Sequence, residues 1–192
     1  QTVPSRTVRV LEIGLGCGDK RLRVGGSARL WRKLFPPPLH LQLHLMEYDF
    51  ACAREWAAAN QWPGLTVHAG DQNSTEDLDR VYQESGRKRF DLIIDDGSHL
   101  NEHQINTATH RLRRHRLMPG GTYIIDDIQS ACYQWDANVP LARGQQTVDG
   151  TAGCMLTTQK KPTIFAELIK WQTRLAHRVG PRANPGDAHL PS

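Results

Sequence analysis

Four acids and a histidine stand close together in two short segments. Asp95, Asp96 and His99 lie in I-I-D-D-G-S-H, and Asp126 and Asp127 in Y-I-I-D-D. Each acid pair follows an apolar run that reads as a buried strand. In an open α/β sheet the carboxyl ends of strands border the crevice where ligands bind. Carboxylates gathered there raise one another's pKa unless a cation joins them. An all-oxygen donor set favours a hard divalent ion: magnesium, manganese or calcium. Asp96, Asp126 and Asp127 are the expected ligands, and Asp95 is expected to contact a cofactor or the backbone. The alternative is a wet loop edge without metal. His99 follows Asp96 by three residues and can take a proton from a hydroxyl near neutral pH. A surface or helix-start histidine is the competing reading. His99 and His103 could share a helix face, but H-L-N-E-H is not H-E-x-x-H, and a zinc protease is set aside.

A second group lies at V-R-V-L-E-I-G-L-G-C-G-D-K, from Val8 to Lys20. It reads as a buried strand entering a glycine turn. Gly14, Gly16 and Gly18 let the chain bend sharply and let a ligand lie against the backbone. A dinucleotide loop, G-x-G-x-x-G, would need glycine where Asp19 stands. Asp19 would compete with a phosphate for the same donors. Glu12 brings a second carboxylate to the turn. Two carboxylates suit a ligand with positive charge and no phosphate, and S-adenosylmethionine fits. Glu47 ends the second strand, where a carboxylate can accept from both hydroxyls of a ribose; Asp49 is the fallback. Asp71 and Gln72 end the third strand, where an adenine edge would come. For Glu47 and Asp71 the plain alternatives are a loop acid and a turn or cap acid.

Positioning these groups requires alternating strands and helices. Strands are expected at 8–13, 41–48, 65–69, 90–95 and 122–125, the last after a Pro119-Gly120-Gly121 turn. Helices are expected at 27–35 with Ser27 as cap, at 50–60, after a Ser74 cap, at 100–117 and at 163–179. The last helix carries Phe165, Leu168, Ile169, Gln172 and Leu175 near one face. Residues 130–161 read as loop. The alternation predicts an α/β, Rossmann-like, mostly parallel sheet with helices on both faces, a three-layer sandwich. A further pair of strands after 122–125 is not legible, so the sheet is expected to lack its last two strands. One domain is expected over 1–180 and a disordered tail over 181–192.

Composition narrows the classes. With 192 residues the chain can form one domain with a real core, and its net charge is only +4. Arg111, Arg113, Arg114 and Arg116 cluster, which we read as a solvated helix face rather than a nucleic-acid site. No apolar run is long enough to span a bilayer. Cys17, Cys52, Cys132 and Cys154 make no C-x-x-C pair and no zinc spacing. Reduced thiols in a cytoplasmic protein are the expectation, with one disulfide as the alternative. The chain opens at Gln1, so it is expected to be a processed or partial chain.

In order, L-E-I-G-L-G-C-G, E-Y-D followed by Cys52 and Trp56, G-D-Q, I-I-D-D-G-S-H, L-x-P-G-G-x-Y and D-D-I-Q resemble the metal-dependent O-methyltransferases of the macrocin and mycinamicin sugar type. They also resemble relatives of the fungal hard-surface-induced protein type. The resemblance covers about 8–129. It implies that Gly14, Gly16, Glu47 and Asp71 hold S-adenosylmethionine, that Asp96, Asp126 and Asp127 hold magnesium, and that His99 is the general base. The relatives often carry Glu-Asp where this chain has Asp126-Asp127. Their Y-G-P-G-A-S loop is R-L-R-V-G-G-S-A here. No counterpart of the N-terminal segment that helps cover substrate in the macrocin type is expected within this sequence.

The expected activity is S-adenosylmethionine-dependent, magnesium-assisted O-methylation of a hydroxyl on a sugar or other diol-bearing small molecule. The partner would be that acceptor, with no nucleic acid and no membrane segment, and self-association is compatible. The competing classes are a non-catalytic S-adenosylmethionine-binding domain, an NAD-type oxidoreductase and a partner-binding module that uses the arginine helix.

Overall fold

Strands of the doubly buried kind need helices on both faces, and the chain supplies them. The computed structural model describes residues 6–18, 23–36, 39–110, 116–128 and 163–178. Its strands are β1 (Arg6–Ile13), β2 (Leu39–Glu47), β3 (Leu65–Ala69), β4 (Phe90–Asp95) and β5 (Leu117–Ile125). The helices are α1 (Gly26–Leu34), α2 (Phe50–Ala59), α3 (Thr75–Glu84), α4 (Asn101–Thr109) and α5 (Ile164–Arg178). All strand pairs are parallel, in the order β3-β2-β1-β4-β5. The order reverses direction at β1, which pairs β2 on one side and β4 on the other. A crevice opens at such a switch point.

The period of two decides which residue faces which layer. On β1, Val8 and Val10 join Leu43 and Leu45 of β2 in a core with Ala28 and Trp56. Glu12 shares that face. Leu11 and Ile13 point the other way, into a core with Met46, Leu78, Val81, Phe90 and Ile93. Arg9 shares the second face, where its guanidinium lies over the Phe90 ring and donates to the Ser85 carbonyl at 2.6 Å. A third cluster holds α5 to α4 around buried Ile164, with Ile105, Phe165, Leu168 and Trp171. Ile169, expected on that face, is instead exposed. The Leu175 side chain lies outside what is described.

Several boundaries differ from expectation, each for a local reason. The cap of α1 is Gly25 at φ 68°, not Ser27. A Cβ at Gly25 would lie 2.3 Å from the Trp56 ring, so only glycine fits there. Helix α4 ends at Thr109, well short of 117, and His110 leaves it with ψ 157°. The Pro119-Gly120-Gly121 segment lies within β5 rather than before it. Phe90 pairs with Leu117 and Leu92 with Thr122, so the residues between bulge from the ladder. Proline lacks the N–H a regular ladder would use, and Gly120 takes φ 80°. Arg116 is no solvated helix residue. It is buried, stacks over Tyr82 at 4.3 Å, donates to the Leu78 carbonyl at 2.8 Å and pairs with Asp79. The readings of Asp19, Arg111, Arg113, Arg114, Cys132, Cys154, the 130–161 loop and the 181–192 tail lie outside the described residues. Among the described residues no helix is long and apolar enough to cross a membrane, and no strand follows β5.

Candidate active site

At the switch point lies a cavity of about 650 Å³. Its walls include Gly14, Gly16, Gly18, Glu47, Asp71, Gln72, Asp96 and His99. The sequence places all of these at one sheet edge, and the fold brings them around one space.

The turn after β1 is built from glycines at φ 98°, 82° and 91° for Gly14, Gly16 and Gly18. Gly14 is the tightest of the three. A Cβ there would sit 2.0 Å from the Asp96 carbonyl oxygen. The β1 and β4 ends therefore touch backbone to backbone, and the Asp96 N–H donates to the Ile13 carbonyl at 2.9 Å.

Glu47 ends β2 on the wall. Its Oε2 accepts the Leu15 N–H and its Oε1 the Asp49 N–H, both at 2.9 Å. Asp49 caps α2 through Cys52 N. Asp71 accepts from Asn73 N at 2.7 Å, while its own N–H donates to Asp77 Oδ2 at 2.8 Å. The carboxylates of Glu47 and Asp71 both keep lone pairs for a ligand.

Glu12 does not line the cavity. It is 1% exposed and accepts from Trp31 Nε1 at 2.8 Å. Burial pushes its pKa up to about 7, while hydrogen bonds from Ser27 and Trp31 oppose the shift. The expected second carboxylate of the cofactor turn is thus a buried link from β1 to α1. Asp95 departs in the same way. It is fully buried, accepts from Tyr123 Oη at 3.0 Å and from Gln72 Nε2, and burial pushes it up to about 7. Of its two expected contacts, the backbone one is observed, at Gly97, and the Asp95 side chain does not line the cavity. Gln72 serves as a fastener. Besides donating to Asp95 it accepts from the Ser98 N–H at 3.1 Å, joining the β3 and β4 loops. Part of its side chain is therefore committed before any ligand arrives.

Asp96 and His99 line the cavity, and Asp126 and Asp127 lie beside them at the end of β5 without lining it. His99 Nε2 lies 3.8 Å from Asp96 Oδ1 and 4.0 Å from Asp127 Oδ2. His99 and Asp127 both take left-handed backbone, φ 58° and 49°. Burial first, then the charges of Asp126 and Asp127, raise the Asp96 pKa. The donor chemistry therefore suits a hard divalent cation, which would relieve that repulsion. Among the described residues no three such side chains are gathered closely enough to hold an ion as they stand. His103, which the sequence suggests only as a partner for His99, sits on α4 and borders the cavity. It meets Ser98 Oγ through Nδ1 at 2.8 Å.

Two cysteines depart from the expected free thiols. Cys17, between Gly16 and Gly18, is joined to Cys52 of α2 in a disulfide with Cα atoms 6.1 Å apart. Their separation of 35 residues gives no signal in the sequence, because pairing of β1 with β2 is what brings them together.

No family model matches the sequence. Individual proteins do. The chain is 34% identical over 152 residues to the mycinamicin VI 2''-O-methyltransferase of Micromonospora griseorubida, covering 79% of this chain and 33% of that one. It is 37% identical over 124 residues to the demethylmacrocin O-methyltransferase of Streptomyces fradiae, covering 65% of this chain and 28% of that one. Among solved structures it superposes on the MycE methyltransferase of mycinamycin biosynthesis, in complex with Mg and SAH, with TM-score 0.67 and 27% identity. That match covers 97% of this chain and 39% of the other. A further MycE structure, with Mg, SAH and mycinamycin VI, gives TM-score 0.66 and 28% identity over 94% of this chain and 39% of that one. The chain spans about a third of the length of these curated relatives.

The fold is of the Rossmann-like methyltransferase class, superposing on that of MycE. Within that class the chain resembles the sugar O-methyltransferases of the mycinamicin and macrocin type.

Proposed function

We propose that this chain carries the catalytic domain of an S-adenosylmethionine-dependent O-methyltransferase acting on a hydroxyl of a sugar or similar diol. The observation that carries the reading is one cavity lined both by the glycine turn with Glu47 and by Asp96 with His99. The relatives' names support the reaction class. Residues 1–180 are taken as one domain in a cytoplasmic protein.

Glu47 stands at the end of β2, where it can accept from ribose hydroxyls, and Asp71 and Gln72 border the adenine end. The glycine turn gives the methionine part of the cofactor a surface without β-carbons. Asp96, Asp126 and Asp127 would hold magnesium, which when bound supplies positive charge to orient two adjacent acceptor oxygens and lower one hydroxyl's pKa. His99 takes the proton from the hydroxyl that becomes methylated. Its left-handed backbone aims Nε2 between Asp96 and Asp127. A cavity that held cofactor and acceptor together would convert a bimolecular encounter into an oriented one.

Calorimetric titration of S-adenosylhomocysteine, followed by methyl-transfer assays on vicinal-diol sugars with and without magnesium, tests the proposal. Binding and magnesium-dependent transfer are expected. A folded chain that binds no S-adenosylhomocysteine would overturn the proposal. Binding without transfer to any diol acceptor would instead favour a non-catalytic domain.

A further inference from the structure

The Cys17–Cys52 pair sits in the cofactor wall itself. Cys17 and its neighbours Gly16 and Gly18 line the cavity, as do Glu47 and Asp49 just before α2. Both glycines take left-handed backbone, φ 82° and 91°, with open space where a Cβ would be. No neighbouring atom therefore confines Gly16 or Gly18, whose backbone has many alternative conformations, while Cys17 between them packs against the core of β1 and β2. Gly14 is different, because the Asp96 carbonyl packs against it.

Two ties hold the outer turn to the start of α2. One is polar: Glu47 accepts from Leu15 on the turn and from Asp49 at the helix cap. The other is covalent, Cys17 to Cys52, and reaches the tip that the polar tie does not. Both cysteines are partly exposed.

We propose that Cys17 and Cys52 form a redox-sensitive modification site that sets the affinity of the cofactor pocket; this rests on the functional reading above. Oxidised, the cross-link holds Gly16 to Gly18 in the cofactor-accepting shape. A small dithiol reduces it: the S–S bond breaks, both cysteines become thiols, and the dithiol is oxidised to its disulfide. The freed turn then samples other shapes, and apparent affinity falls by the fraction of time spent in the competent one. A turn competent about a tenth of the time binds about tenfold more weakly.

The experiment compares the full chain before and after dithiothreitol. Peptide mapping establishes the Cys17–Cys52 link. Calorimetry gives the S-adenosylhomocysteine affinity of each form, and hydrogen exchange reads the amides of 14–18. The expected result is a mapped link, about tenfold weaker binding on reduction, and faster exchange at 14–18 in the ligand-free reduced chain. Cys52→Ser should reproduce the reduced values and ignore dithiothreitol. Equal affinities in both forms, or no link between these cysteines, would overturn the inference. If neither form binds S-adenosylhomocysteine, the methyltransferase reading falls and takes the affinity claim with it, whereas equal binding by both forms overturns the inference alone.

Discussion

Glu47 Oε2 accepts the backbone N–H of Leu15 at 2.9 Å, so the carboxylate that ends β2 also fixes the glycine turn after β1. Its other oxygen holds the N–H of Asp49. One side chain thus shapes the pocket and, in our proposal, touches the ribose.

Replacing Glu47 should therefore cost both stability and affinity. Glu47→Ala leaves two backbone donors without their acceptor, at roughly 1–3 kcal/mol of stability. Glu47→Gln keeps one acceptor oxygen and should cost less stability. Binding of S-adenosylhomocysteine should weaken at least about tenfold in both variants, since a charge-assisted hydrogen bond contributes roughly 1.5–3 kcal/mol. Denaturant melts and calorimetry read the two effects separately, and unchanged affinity in Glu47→Gln would remove Glu47 from the cofactor site.

Glycine positions in the turn should respond unequally. At Gly14 a methyl group would meet the Asp96 carbonyl at 2.0 Å in backbone that already disfavours L-residues. Gly14→Ala should lose more than about 3 kcal/mol or fail to fold. Gly16→Ala has open space and only the backbone penalty, on the order of 1–2 kcal/mol. Thermal melts of the two variants side by side check the difference.

Glu12 gives a pH dependence of defined sign. Its folded pKa, about 7, lies above the ordinary 4.5 because burial disfavours the charged form. The folded chain therefore holds this proton more tightly than the unfolded chain. Its contribution is fully present below about pH 4.5 and is lost as pH rises through about 7. Each tenfold gain in proton affinity on folding corresponds to ~1.4 kcal/mol. Glu12→Gln should flatten that part of the stability profile, and an unchanged slope would show that Glu12 titrates normally.

The opposite slope comes from His44 and His68, which meet ring to ring at 3.1 Å in the core under α3. Burial lowers both pKa values, His44 from 6.5 to about 4. Folding excludes their charged forms. This contribution is present above pH 6.5 and is lost as pH falls toward about 4. Chemical denaturation between those limits should show His44→Asn less sensitive to acid than the parent chain.

His99 should matter to turnover and not to cofactor affinity. His99→Gln removes the proposed proton acceptor, and kcat should fall by roughly 10²–10⁴-fold. Binding of S-adenosylhomocysteine should stay within about twofold, because no cofactor contact is assigned to this ring. Single-turnover transfer against calorimetry decides it, and equal losses in both would make His99 a structural residue.

Much of this protein is determined by the sequence alone. Apolar runs separated by helical stretches dictate a parallel sheet, because a strand buried on both faces needs a helix on each. The acids ending β2, β3, β4 and β5 are consequently predictable as one edge. What they do there is decided in three dimensions. Glu12 and Glu47 look alike in the sequence, yet Glu12 ends under Trp31 while Glu47 reaches the cavity. Asp95 and Asp96 are neighbours, and strand alternation buries the first against Tyr123 and leaves the second on the wall. The Cys17–Cys52 pairing, the bulge in β5 and the buried place of Arg116 follow from which strands and helices become neighbours. Local pattern records each residue's periodicity; only the packed chain sets distances between residues tens of positions apart.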